Sequence, residues 1–229
     1  MTAPGPLPTR DTPRSLRILF EDRDLVVIDK PAGLPSTGRT LDDPHSAQAV
    51  LTAQLGRFVW AVHQIDAGTT GLLLFVRKKS AVDVFTDKLK KGEKRYLAVA
   101  AGRPTFESGE LTGAIGWDDA QKRWAVVPDD APSAKAARTS VTVVSTAESA
   151  CLVSARIFTG RTHQVRLHLA NAGHSLLGDT RYAPADVAAR FDRPALHAWS
   201  LTLSNVAPLL CPIPPDFQGL LAREGLDFP

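Results

Sequence analysis

The stretch VHQIDAGTTGLLLFV, Val62 to Val76, joins a loop of small residues to an unbroken apolar run. The run Leu72 to Val76 reads as a strand, and at five residues it is far too short to cross a bilayer. In front of it stands a bare carboxylate, Asp66, followed by Gly68, Thr69, Thr70 and Gly71. Two readings compete. Asp and Gly are common turn residues, so Asp66 could simply start a turn. Alternatively, the loop presents Asp66 for chemistry, and the choice depends on the rest of the chain.

Working outward, Leu25 to Ile28 is a candidate buried strand closed by the turn Lys30-Pro31-Ala32-Gly33. SAQAVLTAQLG, Ser46 to Gly56, predicts a short helix stopped by its glycine. After the central strand, Ser80 and Asp83 form a capping pair for a second helix. Val82, Phe85 and Leu89 share one of its faces, and Lys88, Lys90 and Lys91 crowd its last turn before Gly92. RYLAVAAG is a further buried strand. TSVTVVS and CLVSARIF alternate as the arms of a hairpin. THQVRLHLANAG has helical spacing, with Val165, Leu169 and Ala172 on one side and Gly173 as the stop, and ALHAWSLTL is another strand. Strands clustered beside few helices, without regular βαβ alternation, predict an α+β fold rather than a doubly wound parallel sheet.

The chain is 229 residues long, 44% hydrophobic and 22% charged, which is ordinary for a globular protein with a real core. Four prolines within the first thirteen residues predict a disordered tail, taken as residues 1–14, ahead of one domain over 15–229. That tail lacks the charged-then-apolar pattern of a secretory signal. Cys151 and Cys211 stand apart without C-x-x-C spacing, so both read as small buried apolar residues in a reducing, cytoplasmic setting. Between Arg77 and Arg95 eight Lys or Arg face three Asp or Glu, a local charge of +5 on a chain of net charge +3. Such a block suits a polyanion such as nucleic acid, or a solvated lysine-rich helix face.

Two constellations besides the Asp66 loop could carry chemistry. In FTGRTHQVRLHLANAGHSLLGD, Phe158 to Asp179, Arg161 and Arg166 offer guanidinium groups to phosphate or carboxylate at a helix start. Histidines 163, 168 and 174 do not match H-E-x-x-H and have no cysteine nearby, so a metal site is disfavoured and His168 reads as a packed helix residue. Lys94-Arg95-Tyr96 places an aromatic ring beside cations, which suits stacking on a nucleobase or an edge at the core margin. The D-x-G-T of the first loop also occurs in aspartic hydrolases. Those need two carboxylates sharing a proton, and no second D-[ST]-G is present.

Taken in order, VVIDKPAGL, HQIDAGTTGLLLFV, EKRYLAVAAG, TGRTHQVRLHLANAGHSLLGD and LHAWSLTL resemble the RluA-type pseudouridine synthases, from about Ile18 to Leu221. No basic S4-like module is read ahead of them, so the resemblance is to the stand-alone catalytic members. It implies a mixed, mainly antiparallel central sheet with flanking helices and loops and a central active-site cleft. It also implies an RNA-modifying isomerase with Asp66 as catalytic aspartate, Tyr96 stacked on the target uracil and Arg166 paired with Asp66. RNA-contacting roles are implied for His63, Gln64, Thr70, Lys94, Arg161 and His163. The family reaction breaks the bond from uracil N1 to ribose C1′, turns the base and rejoins it through C5. It implies no cofactor and no metal, structured rRNA or tRNA as the partner, and a flipped-out uridine. A monomer without an obligatory protein partner is the default expectation.

The chain departs from the family pattern at His63-Gln64-Ile65-Asp66, where the family reads H-R-L-D, and Thr70 stands for the usual Ser. The missing arginine motivates an alternative from another class, a catalytically weakened RNA-binding or RNA-chaperone protein on the same scaffold. The retained Asp66, Tyr96 and Arg166 argue against it.

Overall fold

A computed structural model describes residues 13–40, 43–204 and 206–228. Residues 1–12 of the expected tail lie outside that range. The first part of the chain holds strands β1 (Arg17–Glu21) and β2 (Leu25–Lys30), helix α1 (Ala47–Leu55), strands β3 (Trp60–Ala61) and β4 (Thr70–Val76), and helix α2 (Val82–Lys91). Five strands follow: β5 (Glu93–Ala101), β6 (Ser108–Thr112), β7 (Ala114–Asp118), β8 (Arg123–Val127) and β9 (Arg138–Thr146). Then come β10 (Ala150–Ile157), α3 (Gln164–Asn171), α4 (Ala185–Ala188), β11 (Leu196–Leu203), β12 (Val206–Leu210) and α5 (Pro215–Glu224).

Eight strands run in the order β1-β2-β4-β11-β5-β10-β9-β6, with β12 added to β11 and β3 to β4. Every pairing is antiparallel except β11 with β4, so the sheet is mixed and mainly antiparallel. β7 and β8 form a separate two-stranded hairpin.

The central strand β4 is buried along its whole length, and this explains its unbroken apolar run. Side chains alternate across a strand, so each face needs its own cover. Leu73 and Phe75 pack with Val50 and Leu51 of α1, while Leu72, Leu74 and Val76 belong to the core on the other face. β5 divides the same way. Tyr96, Ala98 and Ala100 join that second core, and Leu97 and Val99 pack with Phe217, Leu220 and Leu221 of α5. Both cysteines are buried and free, as their isolation in the sequence suggests.

Local signals hold with two exceptions. Ser46 caps α1 by accepting from Ala49 N–H, and Gly56 closes it in the left-handed region. The Ser80–Asp83 pair does not cap α2, however. A 3₁₀ turn over Lys79–Ala81 draws Ser80 into helical geometry, and the capping residue is Ala81, without a side-chain bond. A capping hydroxyl needs an extended backbone, which Ser80 has lost. Gly92 ends α2 as expected but in an extended conformation (φ −87°). A Cβ there would lie 1.9 Å from Thr202 O, so close backbone approach selects this glycine. Finally, the one-sided reading of α3 was too narrow. Gln164 through Leu169 are all buried and Ala172 is exposed. The helix lies between the main sheet, where Val165 and Leu169 pack, and the β7–β8 hairpin, where Leu167 meets Ile115.

Gly71 sits where β4 first meets β11, at φ 108°, and a Cβ would lie 2.3 Å from Ala198 O. Gly71→Ala is therefore expected to destabilise the protein by about 3 kcal/mol. In thermal unfolding followed by circular dichroism that corresponds to a fall in Tm of ~6–12 °C.

Candidate active site

Asp66 stands on the loop that feeds β4, and the backbone around it is fixed by groups from distant parts of the chain. Ser36 Oγ donates to Ile65 O at 2.7 Å and accepts from Ile65 N–H at 2.9 Å. Ala67 O accepts from Gly33 N–H at 2.8 Å and from Lys30 Nζ at 3.0 Å. Gly68 O accepts from Arg193, whose other nitrogens hold Asp216 at the start of α5. The residue is thus a turn former, with Thr69 N–H bonded to Asp66 O, and also a presented carboxylate.

The carboxylate meets Arg166 from α3. Arg166 Nη1 donates to Asp66 Oδ2 at 2.8 Å, and Nε and Nη2 donate to the two oxygens of Asp179, both at 2.8 Å. Asp179 is 1% exposed at its side chain, Arg166 6% and Asp66 27%. The guanidinium is therefore locked from behind and presents one edge to the only solvent-reachable carboxylate of the three-group chain. Burial works against the Arg166 charge, but the bonds and charge of Asp179, then of Asp66, outweigh it and raise its pKa. Asp179 had no assigned role in the sequence, although it closes the quoted motif.

Asp66 and Arg166 line a cleft of about 550 Å³. Tyr96 from β5 forms part of its wall. Burial, and then the Asp66 charge, raise its phenol pKa, so the ring is neutral. His63 is likewise neutral, because burial and then the Lys94 charge push it down to about 3, and its Nε2 accepts from Leu74 N–H at 3.4 Å. Lys94 lines the cleft near Gly160 with its pKa lowered by burial. Gln64 is exposed on the rim, and Arg161 lies there too with its Nε donating to Ala136 O. His163 enters from the start of α3, with Nδ1 2.6 Å from Tyr182 Oη and Nε2 3.7 Å from Asp66 Oδ1.

One expected residue falls outside this group. Thr70 is 4% exposed and does not line the cleft; its hydroxyl lies 2.9 Å from His197 Nδ1. The strand alternation that brings Thr69 to the cleft turns Thr70 away. Thr69 Oγ1 is, among the described residues, the one buried side-chain polar atom without a partner. His168 is packed as expected, bonded to Thr139 Oγ1 at 2.9 Å. The basic block is not one free patch. Arg77 pairs with Glu21, Lys90 with Asp87 and Arg95 with Glu93, leaving Lys94 as its contribution to the cleft.

A sequence profile of the family described as RNA pseudouridylate synthase matches residues 24–171. The ribosomal large subunit pseudouridine synthase D of Nitrosomonas europaea is 35% identical, over 90% of this chain and 64% of its own length. The protein of the same name from Zymomonas mobilis is 32% identical, over 85% of this chain and 67% of its own. This chain thus spans about two thirds of their length. The human RNA pseudouridylate synthase domain containing 4 shares the fold, with a TM-score of 0.76, 24% identity, and coverage of 93% of this chain and 94% of that one.

Two outcomes follow from the buried charges. Arg166→Met leaves Asp179 buried without its partner and is expected to destabilise by about 3–5 kcal/mol, read in urea unfolding. Lys30 is fully buried, with Nζ donating to the carbonyls of Pro31, Leu34 and Ala67. Burial, with the Arg193 charge, pushes its ammonium down to about 7. Its folded pKa then lies below the unfolded value, so between about pH 7 and 10.5 the unfolded chain binds more protons and stability rises with pH. The stability difference between wild type and Lys30→Met is expected to shift in favour of wild type across that window, by at most about 1.4 kcal/mol per pH unit.

Proposed function

The chain belongs to the RluA-type RNA pseudouridylate synthase family, and on that premise we propose that it isomerises a uridine of ribosomal RNA to pseudouridine with Asp66 as nucleophile. The observation that carries this reading is the Asp66–Arg166 pair lining the cleft, with Asp179 bonded to Arg166 behind it. Oδ2 of Asp66 is occupied by Arg166, while Oδ1 has His163 Nε2 at 3.7 Å and the residue lines the cleft, where a reacting sugar or base can reach it. A nucleophile has to be fixed in place yet accessible, and this carboxylate is both.

Each remaining group has a part. The neutral ring of Tyr96 offers a stacking surface to the uracil. A uridine inside folded RNA must be flipped out to reach a carboxylate this deep, and Lys94 and Arg161 attract the phosphates that flank it. The bond from N1 to C1′ breaks, the base turns, the bond from C5 to C1′ forms, the C5 proton leaves and N1 gains one. Atoms and electrons balance within the nucleotide. The ribosomal target is the reading supported by the names of the two bacterial relatives.

Pseudouridines are mapped in total RNA from a deletion strain complemented with wild type or Asp66→Ala. A ribosomal site lost on deletion and restored by wild type alone is the expected result. An unchanged map at every uridine overturns the enzyme and favours the RNA-binding alternative motivated by Gln64, while a change confined to tRNA overturns the ribosomal target. Gln64→Arg adds a cation at the rim. It is expected to tighten RNA binding and to steepen the log K against log salt slope by about 1.

A further inference from the structure

We propose that His163 is the base that takes the C5 proton in the last step of the isomerisation. The inference rests on the function proposed above and adds to it the group that finishes the reaction. Once C5 is bonded to C1′, the C5–H bond must break, its electron pair must restore the C5–C6 double bond, and the proton must pass to an acceptor in the cleft.

Few groups there can accept it. Tyr96 holds its own proton, because burial and the Asp66 charge raise its phenol pKa. His63 is a poor base, pushed down to about 3, and its Nε2 already accepts from Leu74 N–H. Gln64 and Arg161 offer no basic nitrogen at ordinary pH. Lys94 is a cation whose charge already acts on His63. His163 differs from all of these. Its Nδ1 is held at 2.6 Å by Tyr182 Oη, and its Nε2 has no hydrogen-bond partner among the described residues. The phenol can donate or accept, and with the proton on Nδ1 the Nε2 lone pair is free to act as base.

The surroundings suit a transient imidazolium. Burial first, with the charges of Arg166 and Arg181, outweighs the opposing charges of Asp66 and Asp179 and lowers the pKa of His163. The resting ring is therefore neutral. When it takes the proton, Nε2 lies 3.7 Å from Asp66 Oδ1, so the new cation forms beside a carboxylate. Backbone geometry gives a second, independent observation. Among the described residues only Lys122 and His163 are non-glycine residues at positive φ. Lys122 sits in the exposed hairpin turn, but His163, at φ 55°, holds this costly conformation inside the cleft. Strain retained at such a position points to a functional demand.

The test uses the full chain and a ribosomal RNA fragment carrying the mapped uridine, synthesised with uridine or 5-deuterouridine. Asn tolerates the left-handed backbone and cannot accept the proton, so His163→Asn is the main variant. Its kcat is expected to fall about 100-fold or more, with KM changed less than about threefold. It should also show a primary isotope effect on the deuterated RNA that wild type lacks. His163→Gly suits the same backbone and should regain turnover when imidazole is added. A kcat within about threefold of wild type overturns the proposal. So does a slow variant without isotope effect or imidazole rescue, which marks a structural role. If wild type itself converts no uridine, the proposed function fails and this inference fails with it. An active wild type with unaffected His163 variants removes the inference alone.

Discussion

The guanidinium of Arg166 determines how the functional half of the molecule is arranged. Each of its three nitrogens donates, Nε and Nη2 to Asp179 and Nη1 to Asp66, each at 2.8 Å. Burying an arginine is costly unless its charge and its hydrogen bonds are matched, and here two carboxylates match them. The planar fork then transmits position: Asp179 sets the plane, and the plane sets where Asp66 can sit. Lysine, a single flexible charge, could neutralise Asp66 but could not hold both partners in this geometry.

Around that pair the fold supplies a rigid seat. The carbonyls of Ile65, Ala67 and Gly68 accept from Ser36, Lys30 and Arg193, which come from opposite ends of the chain. Three donors from separate segments leave the loop little freedom, so the carboxylate is held in place before any substrate arrives. The link from Arg193 to Asp216 ties the C-terminal helix α5 to this loop, although about 150 residues separate them in the chain. The parallel junction of β4 and β11 at Gly71 belongs to the same arrangement, since it brings the C-terminal part of the chain against the loop that carries Asp66.

The pattern of misses is informative. Thr70 was expected at the substrate because it belongs to the same motif as Asp66, yet it points to His197, and its neighbour Thr69 reaches the cleft. A motif in one dimension does not state which of two adjacent hydroxyls faces inward; the start of β4 decides that. Asp179, Tyr182 and Arg193 went unassigned for a related reason. An aspartate after a glycine, a tyrosine in a loop and an arginine before a proline are ordinary in sequence until the fold sets them beside Arg166, His163 and Gly68. The +5 block was legible as composition, but the ion pairs of Arg77, Lys90 and Arg95 with Glu21, Asp87 and Glu93 were not.

Local sequence determined the elements: the capped helix Ala47–Leu55, the continuous apolar strand through Leu72 to Val76, the hairpin of β9 and β10, and the loop in which Asp66 stands. These depend on propensity, capping and periodicity, which act over a few residues. The motif order also singled out Asp66, Tyr96 and Arg166, which the fold brings to one cleft. Tertiary structure alone decided which groups meet there. It set Asp179 behind Arg166, aimed His163 at Asp66 with Tyr182 at its back, and turned Thr70 away. The reason is physical: desolvation and hydrogen-bond matching are properties of a three-dimensional neighbourhood, and residues 100 positions apart, as Asp66 and Arg166 are, acquire one only when the chain has folded.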